Sequence, residues 1–156
     1  MIGIQSYGGY IPRLRLNRMS IYQNMGWFAP AIVLVAQGER SFCNWDEDAL
    51  TMAVAAARSC LQGAEAQDLQ VLYLASTTLP FQHRSNAGVL KPELKLRDPL
   101  VAQDFTSCLK AGTSSLITAL SAVKSGEVGN VLVTATDARE TKAAYFYEMW
   151  FGDGAA

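Results

Sequence analysis

Between residues 109 and 123 the chain carries one charge, Lys110, among side chains that are otherwise small or aliphatic. Read as a helix, that stretch has no polar face, and a helix apolar all round is buried on all sides. This segment alone demands a fold in which other elements surround one central helix. Ala111, Gly112, Ser115 and Ala119 are small and permit close packing. Lys124-Ser-Gly126 closes the helix with a cation and then a glycine.

The surrounding elements are also legible. Residues 70–76 (QVLYLAS) and 130–136 (NVLVTAT) are short apolar runs with weak alternation, the pattern of parallel strands covered on both faces. Residues 101–105 give a third strand, and residues 2–7, followed by Gly8-Gly9, read as an opening strand and turn. A short helix is expected over residues 17–25 and another near 85–90, with an irregular connection after it. Asn44-Trp-Asp-Glu47 has the form of a helix start, because Asn44 can accept a backbone N–H and Glu47 can reach back three residues. Behind it Leu50, Ala53, Val54, Ala57 and Leu61 recur at helical spacing up to a stop at Gly63, a core stripe with no chemistry of its own. Strands alternating with helices over short connections specify an α/β fold with a mostly parallel sheet and right-handed crossovers. No linker, repeat or low-complexity tract divides the 156 residues, so one domain is expected.

Composition narrows the function classes. Half of the residues are apolar and 17% are charged, which excludes disorder as the main state. Thirteen basic against fourteen acidic residues give no electrostatic footprint for nucleic acid or an anionic membrane. The opening residues lack the basic cap and apolar stretch of a signal peptide. The longest apolar run, residues 27–36, contains Pro30 and is about half of the ~20 residues that span a bilayer. Cys43, Cys60 and Cys108 are odd in number and lack CxxC spacing, which fits a reduced, cytoplasmic and soluble protein better than a disulfide scaffold or a zinc site.

Chemistry points to Cys108, at the junction of the third strand and the central helix. A thiol there faces unpaired N–H groups that favour the thiolate and can stabilise an oxyanion when sulfur attacks a carbonyl carbon. The arrangement parallels the strand–nucleophile–helix turn of serine hydrolases, although GxSxG is absent. On position alone Cys108 is as well described as one more buried small residue. Cys60 falls within the amphipathic helix and Cys43 just before a helix start, where both are expected to be inert. Gly126-Glu-Val-Gly129 is a turn rather than a phosphate loop, since no GK[ST] follows.

Asp104-Phe-Thr-Ser-Cys108-Leu-Lys-Ala-Gly112-Thr-Ser-Ser-Leu116 resembles the active-cysteine segment of the thiolase superfamily, nearest the branch of ketoacyl carrier-protein synthase III and hydroxymethylglutaryl-CoA synthase. Three further stretches are similar in order and spacing: residues 2–12 to the opening strand, residues 38–54 to the first long helix, and Phe151-Gly-Asp-Gly-Ala-Ala156 to the FGDGA strand start. The resemblance implies a thiolase-like half with a buried central helix and acyl-CoA C-acyltransfer, forming or thiolytically cleaving a C–C bond through an acyl-Cys108 intermediate. Coenzyme A thioesters enter as substrates, and no metal or redox cofactor is implied. It also implies dimers through residues 101–105 and, in some members, a small zinc-bearing OB-fold partner.

Two departures bear on this. Hydroxymethylglutaryl-CoA synthases carry a catalytic Glu after the strand that ends here at Ala75-Ser76, whereas this chain has Thr77-Thr78-Leu-Pro80, and Glu93 is too far along to stand in. Threonine cannot replace a carboxylate that moves a proton. The family's second half supplies the catalytic His and its partner, and these residues stop where that half takes over. His83, the only histidine, reads as a surface residue. An apolar half-core of this kind calls for a covering partner, whether a second half or another chain. The alternatives are a synthase-like condensing enzyme and a non-catalytic scaffold on the same fold. Arg84, Lys91, Lys95 and Arg97 read as a solvated basic face rather than a CoA-phosphate site. The aromatic run from Tyr145 to Phe151 reads as core or dimer packing.

Overall fold

The computed structural model describes residues 2–62, 66–142 and 145–156. In chain order the elements are β1 (Leu14–Asn17), α1 (Arg18–Met25), β2 (Glu39–Phe42), α2 (Ala49–Cys60), β3 (Val71–Ala75), α3 (Ala87–Glu93), β4 (Val101–Phe105), α4 (Ala111–Ser125), β5 (Val131–Asp137), α5 (Phe146–Trp150) and β6 (Gly154–Ala155), with 3₁₀ turns at Pro30–Val35 and Ala66–Asp68. The main sheet has the order β4-β3-β5-β6. Strands β4 and β5 run parallel to β3 on either side, and β6 is antiparallel to β5. The mixed α/β fold and mostly parallel sheet agree with the sequence.

Strand β3 is central and buried at every position, which explains its lack of alternation. One sheet face packs through Leu72, Leu74 and Leu132 against Leu50, Ala53 and Ala57 of α2 and Leu90 of α3. The other face packs Val71 and Tyr73 against Ala119 of α4. A satellite cluster of Ile21, Met25, Ile32, Ala36 and Met149 joins α1, the first 3₁₀ turn and α5. The aromatic run thus buries Met149 while leaving Tyr145, Tyr147 and Trp150 exposed.

Several expectations are corrected. Residues 2–7 form no strand; the first ladder contact is the single bridge between Tyr10 and Ala155. Gly8 serves close packing rather than a turn. A Cβ there would stand 2.6 Å from the Ala56 carbonyl oxygen and press on the Cys60 amide of α2. Helix α2 begins one turn later than Asn44, because Asp48 and Thr51 form a reciprocal capping box, while Glu47 reaches back to the Asn44 amide in the preceding turn. The predicted stop at Gly63 lies outside the described residues. The short helix at 85–90 is shifted to α3, where Asp104 at the end of β4 accepts from the Asn86 and Ala87 amides at 2.8 and 2.6 Å.

Helix α4 departs most. It starts at Ala111 rather than near 109 and ends on Gly126, whose φ of +80° fits a left-handed cap. Its burial is one-sided. Ala111, Ser115 and Ala119 face the sheet, but Ile117 is 59% exposed and Leu109, just ahead of it, 73%. Complete burial is not met within this chain, because no described element packs on the outer side.

Candidate active site

The turn 106–110 delivers Cys108 from the end of β4 to the start of α4. Ser107 has φ of +72°, a conformation that costs a non-glycine residue of order 1 kcal/mol or more and persists only where its surroundings fix it. The Ala111 amide donates to the Cys108 carbonyl at 3.1 Å and the Ser114 amide to Lys110 at 2.9 Å. No side-chain hydrogen bond caps α4, so the first-turn amides that lack a backbone acceptor are not met by a cap. Gly112 lets this end close down on β5, since a Cβ there would lie 3.1 Å from that of Ala135.

A cavity of about 180 Å³ opens where β3 and β5 end and α4 begins, lined among others by Ser76, Thr77, Cys108, Gly112, Thr136 and Asp137. Cys108 is exposed rather than buried, a correction with the same cause as that of α4, an outer side left uncovered. The thiol stands in the turn between β4 and α4, the junction where the sequence places it.

Asp137 is the functional candidate that sequence reading missed. Its Oδ1 accepts from the Thr77 amide at 2.7 Å and from the Ser76 and Thr77 hydroxyls, each at 3.0 Å. Its Oδ2 pairs with the Arg139 guanidinium at 3.2 Å. The only sequence signal was an acidic residue ending an apolar strand.

Thr78 and Ala138, one residue further along each strand end, line a second groove of about 800 Å³ with Cys43, Trp45, Glu47 and Arg139. Cys43 sits with its sulfur 3.6 Å from that of Met52, and burial together with the Asp153 charge pushes its thiol up to about 12. The Cys60 sulfur lies 3.3 Å from the Ser6 hydroxyl. Neither thiol lines the Cys108 cavity. The Tyr10 hydroxyl donates to Glu47, which raises the tyrosine. The Asn44 amide, followed by Tyr10, holds the Glu47 carboxyl below its ordinary value.

The other candidates lie elsewhere. His83 is exposed on the loop before α3. Glu93 lies 3.9 Å from Arg58 on the surface. Lys91 pairs with Asp98, and the Arg84 guanidinium lies 5.5 Å from the Phe81 ring centre. None of these residues lines the cavity. Among the described residues no group of His, Cys, Asp or Glu side chains could hold a metal ion, and no helix is long and apolar enough to cross a membrane.

No protein-family model matches the chain. It is 29% identical over 158 aligned residues to the hydroxymethylglutaryl-CoA synthase of Pyrobaculum aerophilum, covering 99% of this chain and 45% of that protein. It is 31% identical to the same-named protein of Methanosphaera stadtmanae over 140 residues, 88% of this chain and 40% of that one. The chain therefore spans less than half the length of these relatives. In structure it is similar to beta-ketoacyl-[acyl carrier protein] synthase III of Thermus thermophilus, with TM-score 0.84, 19% identity and coverage of 98% of this chain and 49% of the other. It is similar also to Xanthomonas campestris OleA with bound lauric acid and lauroyl-CoA, with TM-score 0.83, 16% identity and coverage of 99% and 54%.

Proposed function

From a chain that is thiolase-like and matches the N-terminal half of the superfamily's condensing enzymes, we propose that it supplies the nucleophile half of an acyl-CoA C-acyltransferase. Cys108 Sγ attacks the carbonyl carbon of an acyl thioester. The new bond joins sulfur to the acyl carbon, the bond from that carbon to the CoA sulfur breaks, and CoA leaves with the thiol's proton. A general base removes the α-proton of a second thioester. The resulting carbanion attacks the acyl-enzyme carbonyl to make a C–C bond as the bond from that carbon to Cys108 Sγ breaks, and the released thiolate regains the proton from the base; thiolysis is the reverse. The backbone N–H of Cys108 is one donor to the oxyanion of the first step. Loss of such a donor costs about 10²–10³ in rate.

The observation that carries this reading is the strained Ser107–Cys108 turn, holding a thiol at the mouth of a cavity beside an uncapped helix start. The names of the relatives favour bond formation over thiolysis. Threonines at 77 and 78 count against hydroxymethylglutaryl-CoA formation, because they offer no carboxylate to move the proton.

We also read residues 1–156 as one half-domain that works against a covering partner. The chain has 9709 Å² of accessible surface, whereas a compact monomer of 16.9 kDa has roughly 7,700 Å². The excess includes the outer face of α4. Strand β4 at the sheet edge is the proposed dimer contact. A zinc-bearing OB-fold protein is a further partner that copurification would reveal.

Exchange of labelled CoA into unlabelled acyl-CoA tests the function, since it needs only the first half-reaction. We expect exchange by the complete protein and its loss in Cys108→Ala. No exchange by the complete protein would favour a non-catalytic scaffold.

A further inference from the structure

We propose that Asp137 is a positioning residue: its carboxylate fixes the Ser76-Thr77-Thr78 turn as one wall of the cavity and so sets which electrophiles reach Cys108. This rests on the acyl-transfer reading of the same site. The parallel register pairs Ala75 with Ala135, and its continuation brings Thr77 alongside Asp137. Oδ1 of Asp137 accepts from the Thr77 amide at 2.7 Å, the Ser76 and Thr77 hydroxyls at 3.0 Å, and the Thr78 hydroxyl at 3.4 Å. Ser76 Oγ in turn accepts from the Thr78 amide and Thr78 Oγ1 from the Ala138 amide, both at 2.9 Å. The turn that ends β3 is thereby closed onto the end of β5.

A carboxylate accepts and so orients the Thr77 amide and the nearer hydroxyls toward itself, while the Ser76 and Thr78 hydroxyls, 3.2 Å apart, also bond to each other. Bonds to a charged acceptor are about twice as strong as neutral ones. Thr77, Asp137 and Cys108 line the same cavity, so a displaced turn changes the space beside the thiol.

The test compares labelling of Cys108 in the complete protein by N-ethylmaleimide and by a bulky fluorescein maleimide, with adducts assigned by peptide mapping. We expect the small reagent to be favoured in the native protein, and Asp137→Ala to reduce that preference at least threefold. Asp137→Asn, which keeps one accepting oxygen, should recover part of it. Thr77→Val should shift it in the same direction, and the double variant Asp137→Ala/Thr77→Val should not exceed the larger single effect. An unchanged preference in Asp137→Ala, or effects that multiply independently, would overturn the proposal. If thermal melts show Asp137→Ala unfolded, Asp137→Asn and Thr77→Val carry the comparison. Labelling does not depend on acyl transfer. A wild type without CoA exchange but with the expected labelling pattern therefore removes only the acyl-transfer reading. Normal exchange with an unchanged preference removes only the role of Asp137.

Discussion

Replacing Asp153 by alanine should be among the most damaging single changes in the chain. Its carboxylate and the Arg40 guanidinium are 3.4 Å apart, with each side chain only 5% exposed. The same carboxylate accepts from the amides of Cys43 and Arg139, both at 2.8 Å, so it ties the segment after β2 to that after β5. Removing one partner of a buried ion pair strands the other charge, at a cost of about 3–5 kcal/mol. For a protein of this size or larger that corresponds to a fall in Tm of roughly 10 °C. Urea and thermal unfolding of the complete protein measure it. Asp153→Asn, which keeps an acceptor but no charge, should lose roughly half as much. A second readout is Cys43. With the Asp153 charge removed, its thiol moves back down from about 12 and alkylates faster at pH 8. A loss below about 1 kcal/mol in Asp153→Ala, with Cys43 reactivity unchanged, would refute the reasoning.

Gly8→Ala should cost about 1–3 kcal/mol through overpacking, because a Cβ meets the backbone of α2; urea midpoints check this. Leu72→Ala, at a fully buried position of β3, should lose about 2–5 kcal/mol in the same assay. Iodoacetamide at pH 8 should modify Cys108 well before Cys43, since one thiol is exposed and the other has its pKa raised to about 12; equal rates by peptide mapping would contradict this. The Glu47 carboxyl is held below its ordinary value. Its stabilising contribution is therefore present above the unfolded pKa and lost as pH falls through the folded one. The acid limb of the stability curve should be shallower in Glu47→Gln.

Local chemistry made the middle of the fold legible. Strands β3, β4 and β5 and helices α1 and α2 stand within a few residues of their sequence readings, because apolar runs, helical spacing and caps are properties of neighbouring residues. The cap moved from Asn44 to Asp48 because two capping patterns overlap and only packing chooses between them. Strands β1 and β2 escaped notice because LRLN and ERSF are short and half or more polar and, among the described residues, form a two-stranded sheet of their own. Residues 2–7 are strand-like in composition but have no ladder among the described residues, and strands depend on pairing. The all-round apolar character of α4 was read correctly as chemistry. What covers its outer face is a property of other surfaces, and composition cannot name them. At the candidate site, position and motif singled out Cys108, which lines the cavity. Asp137 was not singled out, because its hydrogen bonds to Thr77 follow from the register of two strands distant in sequence.

Intact-mass spectrometry of the complete protein after brief incubation with acetyl-CoA and longer acyl-CoAs, followed by peptide mapping, addresses the central claim directly. An acyl adduct confined to the peptide containing Cys108, and absent in Cys108→Ser, is the expected result. A folded, complete protein that acquires no adduct, or acquires it on another residue, would contradict the assignment of Cys108 as the nucleophile.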